Sequence, residues 1–135
     1  MYDKIFQAKV WPIIKEVMDT YIAPVFDGKL SKDISPSLSD FPRGVYQSQD
    51  GGGSNNDYIS MNGWKGLVTI RCIDLTLTGA NAKLLEVAQA LPTITHASYS
   101  IDVHIREPRS FPVEKVTQGS VYTSAVVLDI AIYPK

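Results

Sequence analysis

The chain is poor in the groups that most often carry chemistry: one cysteine, Cys72, and two histidines, His96 and His104, among 135 residues. A lone thiol excludes an internal disulfide framework and any cysteine-based zinc site, and it fits a reducing compartment. Charge of neither sign is in excess, with 13 basic side chains against 14 acidic ones. Without a basic surplus, the simplest electrostatic route to nucleic acid, displacement of counterions from phosphate, is missing. No apolar run reaches about 18 residues, so nothing reads as a membrane-spanning helix. The opening Met1-Tyr2-Asp3-Lys4-Ile5-Phe6 lacks the basic start, apolar stretch and cleavage site of a secretion signal. Gly51-Gly52-Gly53 is followed by neither a lysine nor a helical pattern, so it reads as a hairpin tip and not as a phosphate cradle. The expectation is a soluble chain made inside the cell, with residues 1–135 forming one domain that buries about two thirds of its unfolded surface.

What is present is pattern. Ile5, Phe6, Val10, Ile13, Ile14, Val17, Met18, Tyr21 and Ile22 recur at helical spacing, which predicts an amphipathic N-terminal helix. Pro12 falls inside it, predicting a kink over residues 8–12 or a helix that starts at Pro12. Pro24 and Gly28 close the segment, and residues 27–42 read as an irregular connection. A strand over about 43–49 leads to Asp50-Gly51-Gly52-Gly53-Ser54-Asn55-Asn56-Asp57, a mobile tip, after which Tyr58 to Met61 resume the sheet. A long strand follows from about Lys65 to Thr78. Thr78 or Asn81 is then placed to cap a second helix with an apolar face of Ala82, Leu84, Leu85, Val87, Ala88 and Leu91. Tyr99, Ile101, Val103 and Ile105 alternate with polar residues as a half-buried strand. Residues 107–120, with Pro108 and Pro112, read as a polar loop, and residues 121–133 as the last strand. Two strand pairs separated by a helix predict an α+β fold: a mostly antiparallel four-stranded sheet, two helices on one face, and a mobile hairpin.

No catalytic constellation emerges. Asp102-x-His104 places a carboxylate and an imidazole on one side of a strand, a pair suited to a metal or a shared proton but better read as cross-strand surface polarity. Cys72 sits mid-strand among aliphatic residues, where a free cysteine behaves as a small hydrophobe. Asp74 and Asp129 interrupt aliphatic strands, either as carboxylates of a pocket or, better, as exposed groups pairing with Arg71, Lys83 or another subunit. Trp11, Trp64, Tyr46 and Tyr58 lack the basic interleaving of a base-stacking surface, which favours core or interface packing. No metal site and no cofactor are expected, and no enzymatic activity.

The apolar residues are unusual in their economy. Val68, Ile70, Cys72, Val127, Ala131 and Tyr133 put aliphatic or aromatic groups on both faces of strands that two helices can cover from one side only. Either residues 27–42 or 107–120 fold over the surplus, or copies of the chain bury it in an assembly.

The layout resembles a family, the tail terminator or tail completion proteins of long-tailed bacteriophages, including the minor tail protein U type. The likeness lies in the N-terminal amphipathic helix, the Phe41-Pro42-x-x-Val45-Tyr46 entry into the first strand and the hairpin that follows. It continues through the strand Gly66-Leu67-Val68-Thr69-Ile70-Arg71-Cys72-Ile73-Asp74, the helix from Ala82 to Leu91, and the closing strand Ala125 to Tyr133. The resemblance implies a structural protein of the virion neck, made in the host cytoplasm, that forms a homohexameric ring on the last ring of tail tube protein. Such a ring ends tube polymerisation, offers a surface to the head-side connector, and lets DNA pass through its lumen without specific binding. No membrane is involved. Expected exposure on the long and last strands then places subunit contacts at Arg71, Asp74, Asp129 and Tyr133. Exposure of the hairpin and the 107–120 loop places tube or connector contacts at Gly51, Gly52, Gly53, Asn55, Tyr58, Arg109 and Phe111. The alternatives are another neck, head-completion or tail tube component, or a small α+β enzyme or ligand-binding domain with a pocket near Asp102 and His104.

Overall fold

A computed structural model describes residues 4–32, 41–48, 58–59, 63–110, 113–116 and 119–135. Among these residues two α-helices, α1 (Lys4–Val17) and α2 (Leu77–Ala90), accompany seven strands. These are β1 (Leu30–Lys32), β2 (Arg43–Ser48), β3 (Tyr58–Ile59), β4 (Trp64–Asp74), β5 (Tyr99–Ser110), β6 (Glu114–Val116) and β7 (Gly119–Pro134). Five strands lie in the order β1-β2-β4-β7-β5, with β3 added to β4 and β6 to β7. Only the β1–β2 pairing is parallel. The fold is α+β with a mostly antiparallel sheet, but it has more strands than the four expected.

The additional strands have physical reasons. Leu30-Ser31-Lys32 is too short for a period to register, yet it extends the sheet as an edge beside Gly44-Val45-Tyr46. Residues 107–110 continue β5 instead of opening a loop, past a register shift between Ile105 and Glu107. Pro108 is tolerated there because β5 is an edge strand and the ring's missing N–H leaves no interior ladder bond unmade. Beyond it β6 pairs with the start of β7, so the expected 107–120 loop is largely strand. The glycine-rich tip over residues 50–57 lies outside the described residues.

Pro12 does not start the first helix, because α1 runs through it from Lys4 to Val17. Pro12 is on the exposed side, while Val10, Ile13, Ile14 and Val17 are buried. Burial of that stripe outweighs the missing hydrogen bond, which costs about 3 kcal/mol in an isolated helix. A π-helical turn (Met18–Ile22) and a 3-10 turn (Ala23–Phe26) carry the chain on, keeping Met18, Ile22 and Phe26 in the core. The segment ends at Asp27, in the left-handed region with φ 54°, and Gly28 at φ 85°. Phe26 then lies flat against Gly44 of β2, where a Cβ would stand 2.6 Å from Cε2 of the ring. Only glycine permits that approach.

Helix α2 begins earlier than expected. Asp74 Oδ1 accepts from the Leu75 N–H at 2.7 Å and the strand stops there, leaving Thr76 as the cap. Thr76 Oγ1 accepts from the Gly79 N–H at 2.9 Å, the role assigned from sequence to Thr78 or Asn81. On this helix Ala80, Val87 and the following Leu91 are buried, whereas Ala82 and Leu85 point to solvent. Lys83 Nζ donates to the Val25 carbonyl at 2.9 Å, tying α2 to the 3-10 turn.

Both helices pack on one face of the sheet. Their buried residues share a core with Val68, Ile70 and Cys72 of β4 and Val126, Leu128, Ile130 and Ile132 of β7. Trp64 joins this core and meets Trp11 edge-on, ring centroids 6.2 Å apart, with the Lys32 ammonium 4.6 Å from the Trp11 centroid.

Candidate assembly surface

The surplus of apolar sheet is resolved within one chain. Val68, Ile70 and Cys72 lie beneath the helices. Val127 and Ala131 point to the opposite face and are nonetheless only 1% and 9% exposed. On that face Val45, Ile73 and Val121 form a second cluster, and Phe41, from the end of the 27–42 connection, packs against it. Burial against neighbouring copies is therefore not required to hide these residues; a segment of the same chain contributes to the cover. Arg43, Thr69 and Thr123 are buried on the same face, making it a polar-studded core in contrast to the helix-covered one.

The four residues expected at subunit contacts do not converge. Register places Arg71, Asp129 and Tyr133 on the face opposite the helices and Asp74 on the helix side at the end of β4. Asp74 serves the strand-to-helix turn, and Arg71 is half-buried beside Val45. Asp129 is exposed and takes an ion pair from Arg106 at 3.5 Å, not from Lys83, which pairs with Glu86 at 3.2 Å. Such exposed pairs contribute little to stability. Tyr133 is half-buried with its ring over Gly63, where any Cβ would collide with it. Of the residues expected to touch the tube or connector, Tyr58 pairs through its backbone with Lys65, and Arg109 stands opposite Ala125. Gly51, Gly52, Gly53, Asn55 and Phe111 lie outside the described residues.

The chemistry suggested by Asp102 and His104 has no enclosure. Both are exposed on the outer strand β5, opposite Ala131 and Asp129. A crevice lies on the other face, lined by Ile14, Val17, Met18, Ile101, Val103, Ile130 and Ile132. Entirely apolar and with room for about one water, it offers no group to orient a substrate. Among the described residues no three His, Cys, Asp or Glu side chains gather as metal ligands. Burial pushes the Cys72 thiol up to about 12, Lys83 opposing and Glu86 reinforcing the shift, so the group stays protonated and unreactive at neutral pH. His96 accepts the Ser98 N–H at Nδ1, 3.0 Å, and meets Glu16 at Nε2, 3.1 Å, which fastens the entry to β5 onto α1. Tyr21 adds a bond to the Thr95 carbonyl at 3.0 Å. These groups hold the fold together.

What sequence reasoning missed is a set of exposed leucines. Leu77 and Leu85 are 52% and 60% exposed, eight residues apart and hence on one side of α2, and Leu75 stands exposed just before the helix. Among the described residues Ile105 and Val113 are the other large exposed hydrophobics. The signal was the spacing of Ala80, Leu84, Val87 and Leu91, a stripe that leaves Leu85 to one side. Among known proteins, no family model matches the sequence and no curated protein matches it.

Proposed function

We propose that the chain is a structural component of a bacteriophage tail, a terminator that caps the tail tube as a ring, ends its polymerisation and joins the tail to the head connector. It works by assembly and not by catalysis. The observation that carries the reading is the exposed leucine set at the start of α2 and along it. Leu75, just before the helix, and Leu77 and Leu85 on it stand in solvent, while apolar groups on both sides of the sheet are largely buried. Exposed leucines grouped on one element are the mark of a contact surface. In a ring this set meets a different surface of the next subunit, a heterologous contact that closes by rotation. The family likeness supplies the ring of six, the tube and connector as partners, and a lumen through which DNA moves without specific binding. A net charge of −1 suits such a channel, since it does not grip a polyanion.

The test is electron microscopy and light scattering of the chain mixed with tail tube protein. Discrete caps at one end of finished tubes are expected, together with their loss in a Leu77→Glu, Leu85→Glu double variant that keeps its fold. Filaments built of this chain alone would instead assign it as a tube subunit, and tubes left uncapped by a folded protein would end the terminator reading.

A further inference from the structure

The outer edge of β5 has a sequence that matches itself. This strand ends the sheet order and pairs only with β7 among the described residues. Edge strands usually carry protection against pairing, and here the bulge between Ile105 and Glu107 and the N–H-less Pro108 supply it for the second half. The first half, from Tyr99 to Ile105, has neither device. On its helix-bearing side Ile101 and Val103 are half-buried and Ile105 is 51% exposed, beside the apolar crevice bounded by Ile14, Val17 and Met18. On the other side Asp102, His104 and Arg106 are all exposed.

We propose that β5 of one copy pairs antiparallel with β5 of a second copy, the two Val103 residues facing each other across the two-fold axis. In that register Ile101 stands opposite Ile105 of the second copy, and Ile105 opposite its Ile101. An unbroken apolar row then runs along the helix side, covering the exposed Ile105. On the reverse side Asp102 meets His104 of the second copy, twice over by symmetry, so that acid faces base. The neighbouring registers fail on the same residues. A slip of one places Ile101 opposite a polar residue of the other face. Centring on Asp102 sets two carboxylates against each other, and centring on His104 opposes Ile101 to Glu107 across the bulge. The main chain adds the bonds of strand addition, the side chains select the partner, and the partner is the same chain.

The contact does not rest on the terminator reading. Being isologous, it closes at two copies and cannot by itself build a ring. Sedimentation of the free full chain over roughly 1–300 μM tests it: a reversible dimer is expected, with Kd in the micromolar range of modest interfaces. Ile105→Lys, at a position already in solvent, weakens association at least about tenfold with an unchanged circular dichroism spectrum, and Asp102→Lys does so less strongly. Register is read by oxidative cross-linking. Val103→Cys couples with itself, whereas Ile105→Cys couples with Ile101→Cys and poorly with itself. A monomer at every concentration overturns the proposal, as does a dimer indifferent to Ile105→Lys or an Ile105→Cys protein that self-couples as well as Val103→Cys. A monomer whose binding to tail tube protein is lost in Ile105→Lys gives the edge to a foreign strand, and also overturns it.

Discussion

Val127 and Leu128 are chain neighbours that point to opposite faces of the sheet, and both are essentially sealed from water, at 1% and 0% exposure. Leu128 enters a largely apolar core roofed by α1, the turns after it and α2, where the buried polar side chain is Ser124, donating to Asn81 Oδ1 of α2. Val127 enters a face where Val45, Ile73 and Val121 share the space with buried Arg43, Thr69 and Thr123. The two faces reach the same burial by different chemistry. A helix brings its own satisfied backbone and a stripe of hydrocarbon, so the face beneath it needs few polar groups, and Ser124 finds its partner on α2 itself. The other face is met by non-helical chain such as Phe41, and it keeps polar side chains among its aliphatic ones.

That contrast can be probed by mutation. Leu128→Ala has the largest expected cost, about 2–5 kcal/mol in urea unfolding, because the helix-covered core has no slack to collapse into the hole. Gly44→Ala on the same side forces Phe26 off β2 and costs about 1–3 kcal/mol. A loss below about 0.5 kcal/mol there would mean the ring has room to swing away. Val127→Ala removes two methyl groups from the opposite face and costs about 1.6 kcal/mol if that face is a true second core. A negligible loss would show that the two faces are unequal after all. The smallest effect concerns pH. The native Cys72 thiol keeps its proton to about 12, while the unfolded chain releases it from 9.0 upward. The shift therefore favours the native state fully below pH 9 and progressively less above it. At pH 10 the wild type should have lost on the order of 1 kcal/mol relative to Cys72→Val, with the two profiles parallel at neutral pH.

The fold was legible in the sequence wherever one period dominated. Val68, Ile70 and Cys72, Ile101 and Val103, and Val126 to Ile132 fall in strands of the expected kind, and the stripe from Val10 to Ile22 lies in a helix. Local rules failed where tertiary packing overrode them. Pro12 is held inside α1 by the burial of its neighbours, and Pro108 continues β5 because an edge strand tolerates it. The start of α2 was misplaced because Thr76 caps it in place of Thr78 or Asn81. Its apolar face was drawn too wide, since Ala80, half-buried Leu84, Val87 and Leu91 make the core-facing stripe and Leu85 lies off it. The apolar surplus was read correctly as two buried faces, but covering the second requires knowing where residues distant in sequence return, as Phe41 does. No periodicity reports such a return. For the same reason Arg71, Asp74, Asp129 and Tyr133 could be named from sequence but not grouped: which side of the sheet each occupies depends on a register settled by pairing.

The sealed thiol has a practical consequence for every question of assembly raised above. Because Cys72 is buried and protonated, maleimide and thiosulfonate reagents meet an essentially silent native background. A fluorophore or spin label introduced at Leu85 or Ile105 thus reports on its own surroundings alone. Distances between labelled copies can be followed as the protein meets its partners, with the natural interior left untouched.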